Sequence, residues 1–198
     1  MEEPKLQEPS TRERILDAAL ELFSTSGFHA TTTRKISQLA NINEVTLFRH
    51  FKRKIDLFAI IMDHIKEVGL DARRLETINL SPKKTIEYAV FEIVRILEEY
   101  PREFKLMFFA GLEKVEGFEA TFVKQNLIVF VDYFEDIFKQ LQKSGDISDR
   151  EDPSILAGML VTQIHGIATA RIVSDLSPLK KISRQRICQS IVDHFLSR

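Results

Sequence analysis

The segment GFHATTTRKISQLANINEVTLFRHFKRK, running from Gly27 to Lys54, decides the fold. Gly27 closes a preceding helix, being the residue type best suited to the left-handed position beyond a helix end. Thr31-Thr32-Thr33 offers an N-cap, and Ile36, Leu39 and Ala40 predict a short helix with one apolar side. Asn41 tolerates the left-handed conformation of a tight turn, Ile42 is placed to plug the space between two helices, and Asn43 caps the next one. From Glu44 to Phe51 only Leu47 and Phe51 share the inward i, i+4 face. Glu44, Val45, Thr46, Phe48, Arg49 and His50 are left wholly or partly outward. A two-turn helix with two anchors and a mixed outer face is poor design for stability and good design for contact. Two short helices joined by three residues match the helix-turn-helix plan.

Charge sharpens this reading. Between His29 and Lys54 the cations are Arg34, Lys35, Arg49, Lys52, Arg53 and Lys54, against one acid, Glu44, in a chain whose net charge is −1. Such a local excess is what a polyanion reads, because neutralising phosphates releases counterions. A merely solvated basic face has the same composition, so the helical pattern has to carry the argument.

Outward from this segment every element is helical. Ser10 and Glu13 form an S-x-x-E capping box, followed by Ile15, Ala18, Ala19, Leu22 and Phe23 at helical spacing. Lys54 opens a fourth helix with Leu57, Phe58, Ile61, Ile65 and Val68 on its inner face, and residues 69–81 form a connector. Helices are expected over 82–100, 101–112, 119–143, 153–172 and roughly 183–197. In the 119–143 helix, Val123, Leu127, Phe130, Val131, Phe134, Phe138 and Leu141 share one side. No strand pattern competes, and the seven Gly and six Pro leave long helices uninterrupted. The expected fold is all-α with about nine helices: a disordered lead over 1–9, a helix-turn-helix domain over 10–56 and a helical body over 57–198, with helix 54–68 connecting the two.

Composition excludes several function classes. A chain of 198 residues with 44% hydrophobic and 29% charged residues is an ordinary folded soluble protein. The single cysteine, Cys188, makes no internal disulfide or cysteine-based zinc site, and the acidic opening Met1-Glu2-Glu3-Pro4 is unlike a secretory leader; a cytoplasmic protein is expected. His29, His64 and His194 form no ligand-spaced pair, so neither metal nor cofactor is expected. No nucleophile–base pair or phosphate loop argues for an enzyme. The uncharged run from Pro153 to Ala170 approaches the length of a membrane span, but Thr162, Gln163, His165 and Thr169 stud it. A helix buried on several sides is expected there, and no membrane contact.

The stretches Gly27-Phe28-His29-Ala30-Thr31-Thr32-Thr33-Arg34-Lys35-Ile36 and Thr46-Leu47-Phe48-Arg49-His50-Phe51-Lys52-Arg53-Lys54 resemble the tetracycline-repressor (TetR) family of bacterial regulators. The resemblance covers residues 10–57; beyond it, the helices match in number, length and position. It implies a three-helix DNA-binding head and a larger helical body that binds a ligand and dimerises. Carried over by position, it assigns DNA contact to Thr32, Thr33, Arg34, Asn43, Glu44, Val45, Thr46, Phe48, Arg49, His50 and Lys54. Thr32 would hold a phosphate at the start of the second helix, and His50 and Lys54 match further phosphate contacts. Glu44, Val45 and Thr46 stand nearest the base edges, where a carboxylate accepts from cytosine N4. Three departures are notable: Asn41 and Val45 replace usual glycines, and Phe48 replaces a usual tyrosine.

The body supplies two further expectations. The resemblance implies a pocket among the middle helices, which makes Phe104, Phe108, Phe130, Tyr133, Phe134 and His165 its candidates for an apolar or aromatic ligand. The helix over 153–172 is apolar on too many sides for one core. The last helix carries the adjacent apolar pairs Ile187/Cys188, Ile191/Val192 and Phe195/Leu196. Ala157, Gly158, Val161, Ile187, Ile191 and Phe195 are therefore expected at a twofold four-helix interface.

The resulting expectation is a homodimeric transcriptional regulator, a repressor released from a pseudo-palindromic operator in duplex DNA by a small, largely apolar effector. An all-α carrier or a helical adaptor with an incidental basic head is the alternative, and neither predicts steeply salt-dependent binding to duplex DNA.

Overall fold

The computed structural model describes residues 8–68, 79–118, 121–174 and 176–196, and among them every regular element is helical. The order is α1 (Thr11–Ser26), α2 (Thr33–Leu39), α3 (Glu44–His50), α4 (Lys54–Val68), α5 (Pro82–Glu99), α6 (Pro101–Glu113), α7 (Thr121–Ser144), α8 (Pro153–Ala168), α9 (Ser177–Lys180) and α10 (Arg184–Leu196). The ten helices exceed the expected count through α9, a single turn started by the Ser177-Pro178 pair that reads in sequence as a break. α8 runs on into a π-helical turn over Thr169–Val173. Residues 1–7 of the expected lead and most of the connector lie outside the described residues.

The chain divides into two compact units. Of the described residues, 8–68 and 102–118 form the first, and 79–101, 121–174 and 176–196 form the second. The first unit therefore takes in all of α4 and nearly all of α6, so the stretch 57–198 read in sequence as one body is shared between the units.

In the first unit, the capping box forms as its residue types dictate. Ser10 N–H donates to Glu13 Oε2 at 2.7 Å, and Glu13 N–H donates to Ser10 Oγ at 3.2 Å. α1 buries Ile15, Ala18, Ala19 and Phe23, while Leu22 is half-buried and Leu20 takes the remaining core space. α4 buries Leu57, Phe58, Ile61, Met62 and Ile65. Four phenylalanines join these helices: Phe58 stands edge-on to Phe23, Phe28 and Phe118 with centroids 5.7, 5.1 and 5.0 Å away. Edge-to-face contacts of this kind add to the area they bury.

The second unit is a helical bundle whose core is drawn from α5, α7, α8 and α10. Ile86, Val90, Val94, Phe134, Phe138, Leu141, Leu160, Ile164, Ile191 and Phe195 are buried in it. α7 ends in a Schellman turn at Gly145 (φ +75°), where Asp146 N–H reaches Leu141 O and Gly145 N–H reaches Gln142 O. Gln142 Nε2 donates to the carbonyls of Ser148 and Glu151, and Asp152 caps α8 through Ser154 N–H at 2.8 Å. At the other end, Arg171 and Arg184 share the carboxylate of Glu98 at 2.8 and 2.9 Å. Arg171 also donates to the carbonyls of Leu179 and Ile182, which secures α9 against the π turn. The segment Pro153–Val173 is long and apolar enough to cross a membrane by length and composition alone. Ala157, Leu160, Val161, Ile164 and Ala168 instead place one of its sides in the core.

Candidate nucleic-acid interface

The recognition surface is built from the backbone up. Thr32, in extended conformation, accepts Lys35 N–H on its hydroxyl at 3.2 Å and starts α2. The helix closes in a Schellman turn: Asn41 has φ +52°, its N–H donates to Gln38 O, and Ile42 N–H donates to Ser37 O. Asparagine pays less than most residues for this left-handed position, which is why it substitutes for glycine here. Asn43 Oδ1 then accepts Thr46 N–H at 2.7 Å and starts α3. The three-residue turn thus satisfies the free backbone groups at both helix ends. Ile36, Ala40, Leu47 and Phe51 are buried beneath it, and Ile42 is half-buried. Leu39, expected on the apolar side, is 53% exposed. In so short a helix the i, i+4 pair Ile36 and Ala40 already fills the inner edge.

α3 presents the mixed face its sequence predicts. Val45 is 75% and Phe48 47% exposed, with Arg49 and His50 also exposed; on α2, Arg34 and Lys35 face solvent together with its cap Thr32. Thr46 is half-buried. Thr33 and Glu44 are paired: the threonine hydroxyl donates to Glu44 Oε1 at 2.6 Å, tying the first residue of α2 to the first residue of α3.

Lys54 is used differently from the other positions. Its ammonium donates to the carbonyls of Phe28 and Thr31 at 2.6 and 2.8 Å and lies 4.1 Å from the centre of the Phe28 ring. Burial lowers its pKa from the ordinary lysine value, opposed by the nearby Glu113 carboxylate. The side chain therefore holds the α1–α2 loop. That loop is also gripped from α6, where Glu113 Oε2 accepts Phe28 N–H at 2.6 Å and Glu113 O contacts His29 Nε2 at 3.2 Å. Thr31 completes it, donating its hydroxyl to Gly27 O at 2.7 Å. Glu113 escaped sequence reasoning because no local signal links a helix end to a backbone N–H 85 positions away. The same holds for Arg102, which pairs with Asp17 of α1 at 2.8 Å.

The remaining predicted residues fall as follows. Phe104, buried, and Phe108, half-buried, belong to the first unit, whereas Phe130, Tyr133, Phe134 and His165 belong to the second. Phe134 packs against Phe130 and Tyr133 with centroids 6.4 and 5.4 Å away. His165 Nδ1 donates to Val161 O at 3.0 Å, and burial lowers its pKa below the ordinary value while that bond opposes the shift. An open groove of about 680 Å³ between α5 and α10, lined by Phe91, Arg184 and Cys188 among others, contains none of the six. Of the residues expected at a twofold interface, Ala157, Val161, Ile187, Ile191 and Phe195 are buried within their own chain. Gly158 is half-buried. The solvent side of α8 carries Ile155 and Met159, which are 52% and 48% exposed. An all-round apolar helix gives no sequence signal for which side meets its own core.

Comparison with known proteins is consistent with this geometry. Residues 15–61 match the model of the family described as bacterial regulatory proteins, tetR family. An uncharacterized HTH-type transcriptional regulator of Bacillus subtilis, YvkB, is 45% identical over 60 residues, which span 30% of this chain and 32% of that protein. The Escherichia coli HTH-type transcriptional regulator UidR is 25% identical over 180 residues, 89% of each chain. Among solved structures, AibR in complex with isovaleryl coenzyme A and operator DNA superposes with a TM-score of 0.72 at 20% identity, covering 94% of this chain and 98% of that one. That likeness shows a shared fold. Over residues 15–61, which hold the capped helix pair of the head, the chain is similar to the DNA-binding segment of the bacterial regulatory proteins of the tetR family.

Proposed function

We propose that this protein is a cytoplasmic, homodimeric, sequence-specific DNA-binding transcriptional regulator, a repressor released from its operator by a small, largely apolar ligand. The observation that carries the reading is α3 itself. It is anchored by Leu47 and Phe51 and leaves Val45, Phe48, Arg49 and His50 in solvent beside Thr32, Arg34 and Lys35. Exposing two large apolar side chains costs solubility, and beside a cluster of cations it suits the major groove, where methyl contact and phosphate contact occur together. The protein acts by binding and catalyses no reaction.

Two copies would place their heads in successive major grooves, about 34 Å apart, on a pseudo-palindromic site. Ile155 and Met159 on α8 supply apolar surface for the second copy. The effector is assigned to the aromatic group Phe130, Tyr133 and Phe134 of α7 with the neutral imidazole of His165 on α8, two helices packed along much of their length. Two proteins of similar fold favour an operator and a small-molecule effector in general: AibR was solved with a coenzyme A thioester and operator DNA, and SmeT of Stenotrophomonas maltophilia is the repressor of a multidrug efflux pump. Release requires that the ligand favour a conformation with mismatched heads, since equal affinity for both states shifts nothing.

The test is duplex binding at several salt concentrations, using DNA from upstream of the protein's own gene beside a scrambled control. Selective binding is expected, with a steep salt slope that falls by about one for Arg34→Ala as a phosphate contact is lost. Absence of binding at low salt by a folded dimer would refute the reading in favour of a carrier or adaptor.

A further inference from the structure

The geometry points to Glu44 as the residue that reads a cytosine in each operator half-site, with Thr33 as its positioning residue; this rests on the regulator reading above. Glu44 is the one acid in a surface otherwise made of Arg34, Lys35, Arg49, His50 and Lys52. A carboxylate so placed repels phosphate, and its usual resolution is an ion pair with a neighbouring cation. None forms: among the described residues no cation lies within salt-bridge distance of it, and its partner is the neutral hydroxyl of Thr33 at 2.6 Å.

The consequence is a carboxylate that keeps its charge uncompensated and its direction fixed. Thr33 occupies Oε1, so Oε2 is left as the acceptor at the first turn of the recognition helix, the part of such helices that meets base edges. Oxygen acceptors distinguish bases sharply there. Cytosine offers N4–H, guanine offers only O6 and N7, thymine offers O4, and adenine sets its N7 acceptor beside its amine. A fixed carboxylate therefore favours cytosine and is repelled, to different degrees, by the other three. Val45 beside it has no hydrogen-bonding group and leaves that position to Glu44. The hydroxyl of Thr33 holds one carboxylate oxygen in place and so restricts how the other can turn.

Selection of bound duplexes from a randomised pool, followed by titration of single-base variants, tests this. Wild-type protein is expected to require one C·G pair per half-site, with about ten-fold weaker binding when it is replaced by T·A. Glu44→Ala should bring that ratio near one without lowering the salt slope, because no phosphate contact is lost. Glu44→Gln should move the preference to adenine, whose N6 and N7 an amide meets in bidentate fashion. Thr33→Val should shrink the cytosine preference several-fold while thermal unfolding stays within a few degrees of wild type. A merely structural hydrogen bond would change stability and leave base identity alone. A half-site without the C·G requirement, or unchanged selection by Glu44→Ala, overturns the inference while the regulator reading stands. A pool from which the wild-type protein enriches nothing overturns both.

Discussion

Replacing Gly27 by alanine tests how the head is held. Gly27 has φ +80° and ψ 168°, a region that only glycine occupies comfortably, so the backbone term alone is about 1–3 kcal/mol. A methyl there would also overlap the carboxylate of Glu113, which accepts Phe28 N–H at 2.6 Å. The carboxylate is the far end of a flexible side chain, so it moves away and the charge-assisted bond is lost, a further ~1.5–3 kcal/mol. Gly27→Ala should therefore cost about 2.5–6 kcal/mol, and Glu113→Ala only the bond. In the Glu113→Ala background the glycine substitution should cost the backbone term alone, making the pair non-additive by about 2 kcal/mol. Urea unfolding of the four proteins, with hydrogen exchange at Phe28 as a local probe, measures the cycle. Equal costs of Gly27→Ala in both backgrounds would refute the proposed collision and the role of Glu113 with it.

Two other outcomes follow from burial. His165 has a pKa lowered mainly by burial, so between the ordinary value of 6.5 and its folded value the unfolded chain binds the extra proton. Its contribution to stability is complete above about pH 6.5 and is lost as pH falls through the lowered folded value. The urea midpoint of wild-type protein should drop more steeply than that of His165→Gln between pH 7.5 and 5, and parallel slopes would contradict this. On α8, Met159→Lys should dissociate the dimer in sedimentation and remove the dependence of the unfolding midpoint on protein concentration. Val161→Ala should cost about 2 kcal/mol and leave the dimer intact, the reverse pattern being fatal to the assigned face.

Much of the head was legible because its signals are local. The capping box at Ser10, the Asn41 turn, the Asn43 cap and the Leu47–Phe51 anchor each depend on residues within four or five positions, and each forms as its chemistry dictates. The outward set on α3 follows from the same periodicity. What periodicity could not show is the use of a side chain by a distant segment. Lys54 reads as one more cation on a basic run, yet it serves two carbonyls more than twenty positions earlier. Glu113 reads as an ordinary helix end. On α8 the difficulty is chemical: Ala157 and Met159 are both apolar, and only the packing of α5, α7 and α10 decides which is inside. The division into two units is invisible for a related reason, since α6 follows α5 after a single residue, Tyr100, and still belongs almost wholly with α1 and α4.

The Asn41 turn has a consequence for how such a protein changes over generations. The angle between α2 and α3 is set by main-chain bonds at 37–42 and by the Asn43 cap, and the burial of α3 rests on Leu47 and Phe51. The exposed positions of α3, Val45, Phe48, Arg49 and His50, make little of the fold's stability, and substitutions at such sites usually shift stability by no more than about 0.5 kcal/mol. Mutation is therefore free to explore the outer face of α3 while the scaffold stays intact. Under the proposed reading, a duplicated copy of the gene reaches a new target through substitutions on the outer face of α3 alone.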